Sequence, residues 1–245
     1  MKTKVSYGIA LCRYNIKKNN AIETLMIRKK NSYYFVLFVY GKYNIKDKFY
    51  IKYMFKNMTF EEKISIMKLN FIELWNKIHV KQTYNTRDYN KYKKIFDDNF
   101  LNNKPFLLSL INKTESSDTL WDIPKGRIEK EETELDCAIR EFKEETNIDI
   151  KDYKIYANSK PVKEVYIDNN VKYVHYYFIA KLKNNKADSY IDYFNINQLK
   201  EVSKIKWISY NEIEFLNLSN NNKKNLLNTF KGVIHSFKIA NKNII

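Results

Sequence analysis

The chain has 245 residues, 44% apolar and 16% aromatic, with 4 glycines and 3 prolines, a composition that excludes a disordered, collagenous or low-complexity protein and allows one large domain carrying an insertion. Its formal charge of +16 suits polyanionic partners, although a coding bias toward lysine and asparagine produces a basic chain by itself. The apolar stretch in MKTKVSYGIALCRYN is too short and interrupted for a signal peptide, YYFVLFVYG is far below the roughly 18 residues of a membrane span, and neither Cys12 nor Cys137 has a CxxC partner. The expectation is a cytoplasmic protein with no membrane span.

In chain order, VSYGIALCRYN (5–15) and ETLMIRKK (23–30) alternate apolar and polar residues about a polar connection and read as an antiparallel pair of strands. From about 45 to 115 the pattern turns helical. Thr59 and Glu62 form a capping box, with Ile64, Met67, Phe71, Leu74, Trp75 and Ile78 following at helical spacing. Tyr89, Tyr92, Ile95 and Phe96 mark a further helix, and Pro105–Ile111 another with proline in its first turn. LWDIPKG (120–126) reads as a short strand breaking at Pro124. Strands resume with YKIYANS, VKEVYID and YVHYYFIAKL, the last two joined through Asn169 and Asn170. IKWISYNEI is a final strand, and Leu226, Leu227, Phe230, Val233, Ile234 and Phe237 mark a C-terminal amphipathic helix. The whole reads as a mixed α/β domain over 1–44 and 116–245, its sheet interrupted in sequence by a helical insertion over 45–115.

Between LWDIPKG and those later strands lies the chemistry. Thr133 caps a helix with Asp136 at its third position, and Leu135, Ala138, Ile139 and Phe142 form its apolar stripe. Glu141, Glu144 and Glu145 stand at i, i+3 and i+4, where their carboxylates project close together. At an effective dielectric of 20, two unit charges about 5 Å apart repel by roughly 3 kcal/mol, so a counter-charge is expected. Arg140 is better placed to bridge back to Glu132, which leaves a hard divalent ion, Mg²⁺ or Mn²⁺, as the natural partner of the carboxylates. Residues 125–149 hold 9 acidic and 5 basic side chains, a net of −4 within a chain of +16. An acidic metal site in a basic surround fits a phosphate-rich substrate.

The segment GRIEKEETELDCAIREFKEETNI (126–148) resembles the Nudix box, G-x5-E-x7-R-E-U-x-E-E-x-G-U, where U is apolar, at every fixed position except the last glycine, which is Asn147 here. Asn is the next most tolerant residue of the left-handed conformation that closes a helix, so the fold should survive the exchange. WDIPKG before the box and EVSKIKW (201–207) after it resemble the mRNA-decapping branch of the Nudix hydrolases, in its viral form of the African swine fever virus type, which also hydrolyses diphosphoinositol polyphosphates.

That resemblance implies a Nudix α/β/α sandwich and a metal-dependent pyrophosphohydrolase. It implies Glu141, Glu144, Glu145 and the Gly126 carbonyl as metal ligands, Glu141 or Glu144 as the group that orients or deprotonates water, and Glu201 as a general base or extra ligand. Lys125 and Arg127 are implied phosphate contacts, and Glu132 with Arg140 a structural pair. The implied substrate is capped mRNA, cut to m7GDP and a 5′-monophosphate RNA. Inositol pyrophosphates or another small diphosphate stand as the alternative, and an RNA-binding protein without catalysis as a third. Aromatic candidates for a base are Tyr33, Tyr34 and Phe35 beside Arg28, Lys29 and Lys30, or Tyr166, Tyr173 and Tyr176; candidate RNA tracks are Lys91, Lys93 and Lys94, or Lys223, Lys224 and Lys231.

Overall fold

The computed structural model describes residues 1–79, 86–117, 120–183, 191–216, 218 and 220–242, with the backbone only at 220 and 221. The chain forms two compact units, one of Met1–Arg28 with Trp121–Ile245 and one of Lys29–Leu120.

The first unit is built on a mixed sheet. Strands β1 (Lys2–Asn15) and β2 (Ala21–Lys29) form the expected antiparallel pair, with Cys12 opposite Thr24. The short β3 (Trp121–Asp122) and β4 (Lys125–Gly126) pair antiparallel with β2 and β1, respectively. After helix α7 (Glu134–Thr146) come β5 (Tyr153–Ile155), β6 (Val162–Asp168) and β7 (Val171–Leu182). Strand β7 runs parallel to β1 and antiparallel to both β5 and β6. Asn169 and Asn170 make the β6–β7 turn with φ of 45° and 59°, the left-handed pair that a tight hairpin needs. A short α8 (Ile196–Glu201) leads directly into β8 (Val202–Ser209), which pairs with β2, and α9 (Asn220–Lys242) follows.

Ile9, Ala10, Leu11 and Cys12 are all fully buried, the signature of a strand covered on both faces. Tyr7, Ile9 and Leu11 pack with Cys137, Ala138 and Phe142 of α7, while Ala10 and Cys12 pack with Leu226, Phe230, Val233 and Phe237 of α9. The period-two alternation of β1 thus feeds two separate cores, and the result is a helix–sheet–helix sandwich. On α7 the apolar stripe is Cys137, Ala138 and Phe142; Leu135 and Ile139, expected within it, are only half-buried.

The second unit is helical: α1 (Tyr33–Val39), α2 (Lys48–Lys56), α3 (Phe60–Lys68), α4 (Phe71–Ile78), α5 (Arg87–Phe96) and α6 (Lys104–Asn112). It begins earlier than the pattern suggested. YYFVLFV is a helix whose Phe35, Phe38 and Val39 join Phe55, Phe96 and Phe100 in one core. Ser32 caps that helix, and the Glu62 carboxylate accepts from both the Ser32 amide and its hydroxyl at 2.6 and 2.7 Å.

The continuous helical spacing from Thr59 to Ile78 is two helices. Leu69 leaves the helical region and Asn70 starts a second capping box with Glu73, whose side chain accepts from the Asn70 amide at 2.8 Å. A local cap offering two hydrogen bonds outcompetes simple continuation. The buried face of α3 is therefore Glu62, Lys63 and Ile66, while Met67 is exposed. Among the described residues no helix is long and apolar enough to cross a membrane.

Candidate active site

Three segments of the first unit meet around the acidic side chains. The first is β4, held against β1 with Gly8 opposite Lys125. A Cβ on Gly8 would stand 2.1 Å from the Pro124 carbonyl oxygen, so glycine is what allows the Pro-Lys-Gly turn to lie this close to the sheet. The second is α7, fixed at its start by the Thr133 cap and by the Tyr7 hydroxyl, which donates to Glu134 at 2.7 Å. Its end is Asn147 at φ 58° and ψ 13°, the left-handed closure expected there, with the amide donating to the Lys143 carbonyl at 2.8 Å. The third is α8, which packs on α7.

Gly126 is the floor of the site. A Cβ placed on it would fall 1.8 Å from the Glu141 carboxyl carbon, so this carboxylate occupies the space that any side chain at 126 would fill. Burial is the main influence on Glu141 and raises its pKa above the usual carboxylate range; Arg140 opposes the rise, and the charges of Glu144 and Glu201 add to it. Glu201 is therefore close enough for its charge to be felt at Glu141, although it lies 60 residues further along the chain.

Arg140 organises the rest. Its Nε and Nη2 donate to the two Glu132 oxygens at 2.8 and 3.0 Å, and Nη2 also donates to the Arg127 carbonyl at 3.0 Å. Those hydrogen bonds bring Glu132 down to a pKa of about 2. The same guanidinium donates from Nη1 to Glu141 at 2.9 Å and lies 3.7 Å from Glu144. Arg140 thus reaches both the loop and the carboxylate cluster, a double role that its spacing from Glu132 alone does not reveal.

Glu145 is buried, 3% exposed, and accepts from the Lys125 amide at 2.9 Å through one carboxylate oxygen, whereas Glu144 remains partly open. Among the described residues no three His, Cys, Asp or Glu side chains converge as a ready cation cage. The donor set nevertheless consists of carboxylates and a carbonyl, hard oxygens of the kind that Mg²⁺ and Mn²⁺ take. Arg140 offsets only part of the charge of Glu141 and Glu144, because the same guanidinium is already paired with Glu132.

Of the two implied phosphate contacts, Arg127 is exposed on the loop, while the Lys125 ammonium is paired with Asp122. Several aromatic candidates are already engaged. Tyr34 and Phe35 are core residues of the helical unit, Tyr176 stacks on Tyr7 at 5.6 Å, and Tyr166 stacks on Tyr173 at 5.1 Å. Cys137 is fully buried, with its thiol pushed up to about 12 chiefly by burial, as befits a packing residue rather than a nucleophile.

The NUDIX domain family model matches residues 95–230, more than half of the chain. The chain belongs to the Nudix family. The mRNA-decapping protein g5R of African swine fever virus (isolate Warthog/Namibia/Wart80/1980) is 35% identical over 222 residues, covering 88% of this chain and 89% of that one. A putative mRNA-decapping protein of Acanthamoeba polyphaga mimivirus is 29% identical over 79% of this chain and 60% of its own length. The m7GpppN-mRNA hydrolase of Saccharomyces cerevisiae (strain ATCC 204508 / S288c) is 30% identical over 58% of this chain and 14% of its own. The sandwich described above is accordingly a Nudix fold, and Nudix hydrolases generally need divalent metal ions.

One residue bonded to the acidic helix has no signal in the sequence. Gln198 is fully buried, and its Nε2 donates to the Glu145 carbonyl at 3.1 Å. In the sequence it is one polar residue on a short, polar helix. Only its partner, 53 residues earlier, gives it a role.

Proposed function

We propose that this chain is a decapping hydrolase that cuts m7GpppN-RNA to m7GDP and a 5′-monophosphate RNA. The observation that carries the reading is the 35% identity to a viral mRNA-decapping protein across 88% of the chain, a span that has to run through the helical unit as well as the Nudix unit. The Nudix box with its full carboxylate set supports hydrolysis over simple RNA binding.

In this reading Glu141, Glu144, Glu145 and the Gly126 carbonyl hold Mg²⁺ or Mn²⁺, which supplies charge neutralisation of phosphate oxygens and acidification of water. Glu201 takes the proton from the attacking water. The water oxygen bonds to phosphorus while the bridge between the second and third phosphates, counted from the methylated guanosine, breaks. Arg127 and Lys125 steady the polyphosphate, Lys125 by exchanging Asp122 for phosphate. Glu132 and Arg140 hold the loop to the helix and keep Glu141 in place. The lysines of α5 and α9 are candidate contacts for the RNA body. In this reading the reaction takes place in the cytoplasm of a host cell.

The test is to incubate the protein with Mg²⁺ or Mn²⁺ and RNA labelled in the cap, with a diphosphoinositol polyphosphate in parallel. The expected result is m7GDP release that disappears in a Glu144→Gln, Glu145→Gln double variant. Unchanged release in that variant would remove the carboxylates from the site, and inositol product without m7GDP would replace the substrate.

A further inference from the structure

We propose that Asn147, standing where the Nudix box has glycine, is a positioning residue that works together with Gln198 to clamp α8 against the end of α7 and so fix the position of Glu201. The inference rests on the reading of Glu201 as a participant in the hydrolysis.

The backbone at 147 closes α7 in the left-handed region, a conformation in which glycine would serve as well. The side chain does something glycine cannot. Its Nδ2 donates to the Asp192 carboxylate at 2.8 Å, and its Oδ1 accepts from Asn195 Nδ2 at 3.4 Å. Asp192 and Asn195 form the entry to α8. The Asp192 carboxylate also accepts from the Phe194 amide at 2.9 Å, and Asn195 caps the helix by accepting from the Gln198 amide at 3.1 Å.

Gln198 supplies the second fastening. While its Nε2 donates to the Glu145 carbonyl at 3.1 Å, its Oε1 accepts from the Asp192 amide at 2.6 Å. Both ends of this one buried carboxamide are therefore used, one on the acidic helix and one on the entry to α8. Glu201 follows three residues after Gln198 on the same six-residue helix, which puts the two about one turn apart. A helix this short has little stability of its own. Its orientation is set by the two carboxamide bridges, both of which end on residues 145–147 of the carboxylate helix, and Glu201 is exposed at the far end.

The glycine exchange is thus reversed in meaning. As a backbone substitution it is merely tolerated; as a side chain it ties the Glu201 segment to the box.

The decisive variant is Asn147→Gly, which keeps the helix closure unstrained and removes only the carboxamide, combined with Glu201→Gln in a double-mutant cycle. The expected result is a loss of kcat on capped RNA of about tenfold or more in each single variant, with KM little changed. The double variant should be no slower than Glu201→Gln alone, because the clamp has nothing left to position. Amide exchange over residues 192–201 should also quicken in Asn147→Gly. Normal turnover and normal exchange in Asn147→Gly would overturn the clamp while leaving Glu201 in the reaction. Losses that multiply in the double variant would also overturn it, since Asn147 would then act elsewhere. Unchanged turnover in Glu201→Gln would dismiss Glu201 and the clamp's purpose together. Absence of m7GDP release from the unaltered protein would instead sink the decapping reading, and the exchange measurement would still decide whether Asn147 fastens α8.

Discussion

Replacing Gly126 with alanine should abolish most activity without unfolding the protein. The added Cβ would lie 1.8 Å from the Glu141 carboxyl carbon and 1.9 Å from one of its oxygens. To regain an ordinary contact near 3.4 Å, the carboxyl group has to retreat by about 1.6 Å. That retreat disturbs the 2.9 Å bond from Arg140 and takes Glu141 away from its neighbours. The obstacle is the end of a flexible side chain, so the strain is of rotamer size, about 1 kcal/mol. A displacement above 1 Å at a reacting centre costs on the order of 100-fold in rate, or about 2.7 kcal/mol of transition-state stabilisation. The assay is kcat/KM for cap release beside a thermal melt. The expected outcome is a fall of roughly two orders of magnitude with a melting temperature lowered by only a few degrees. Activity within about threefold of the unaltered protein would show that the position of Glu141 over Gly126 is irrelevant to the reaction, and the assignment of the site would fail with it.

Glu132→Gln should cost about 1–2 kcal/mol at neutral pH by removing a charge-assisted fork to Arg140. Because Glu132 titrates at about 2 when folded against 4.5 otherwise, its contribution is full above about pH 4.5 and lost as the pH falls toward 2; denaturation curves of the two proteins should converge in that window, and a constant gap would refute the pairing. Phe38, 2% exposed and in edge contact with Phe55, Phe96 and Phe100, should cost about 3–5 kcal/mol on change to alanine. Amide exchange should then rise within Lys29–Leu120 and not in the sheet, and a uniform rise would contradict the division into two units. RNA affinity should fall steeply with salt, with a log–log slope of roughly −0.7 for each phosphate contacted on a single strand; a slope near zero would mean that the basic surface does not carry the RNA.

The sequence determined whatever depends on neighbours along the chain. The Thr133 cap, the closure at Asn147, the hairpin at Asn169 and Asn170, and the proline-initiated α6 all follow from local hydrogen bonds and backbone sterics that a few adjacent residues specify. The Glu132–Arg140 pair was legible because eight residues separate its members and the intervening helix fixes their spacing. The Asn70 cap is equally local, but an apolar period that runs through it masks it in the sequence. Tertiary structure decided what depends on distant partners. It assigned YYFVLFV to the helical unit, because its phenylalanines find Phe55, Phe96 and Phe100 there. It brought the Glu145 carboxylate to the Lys125 amide, 20 residues earlier in the chain. It also gave Asn147 and Gln198 their partners near 192 and 145. A polar side chain has no preferred mate until burial withdraws water from it, and burial is a property of the folded chain.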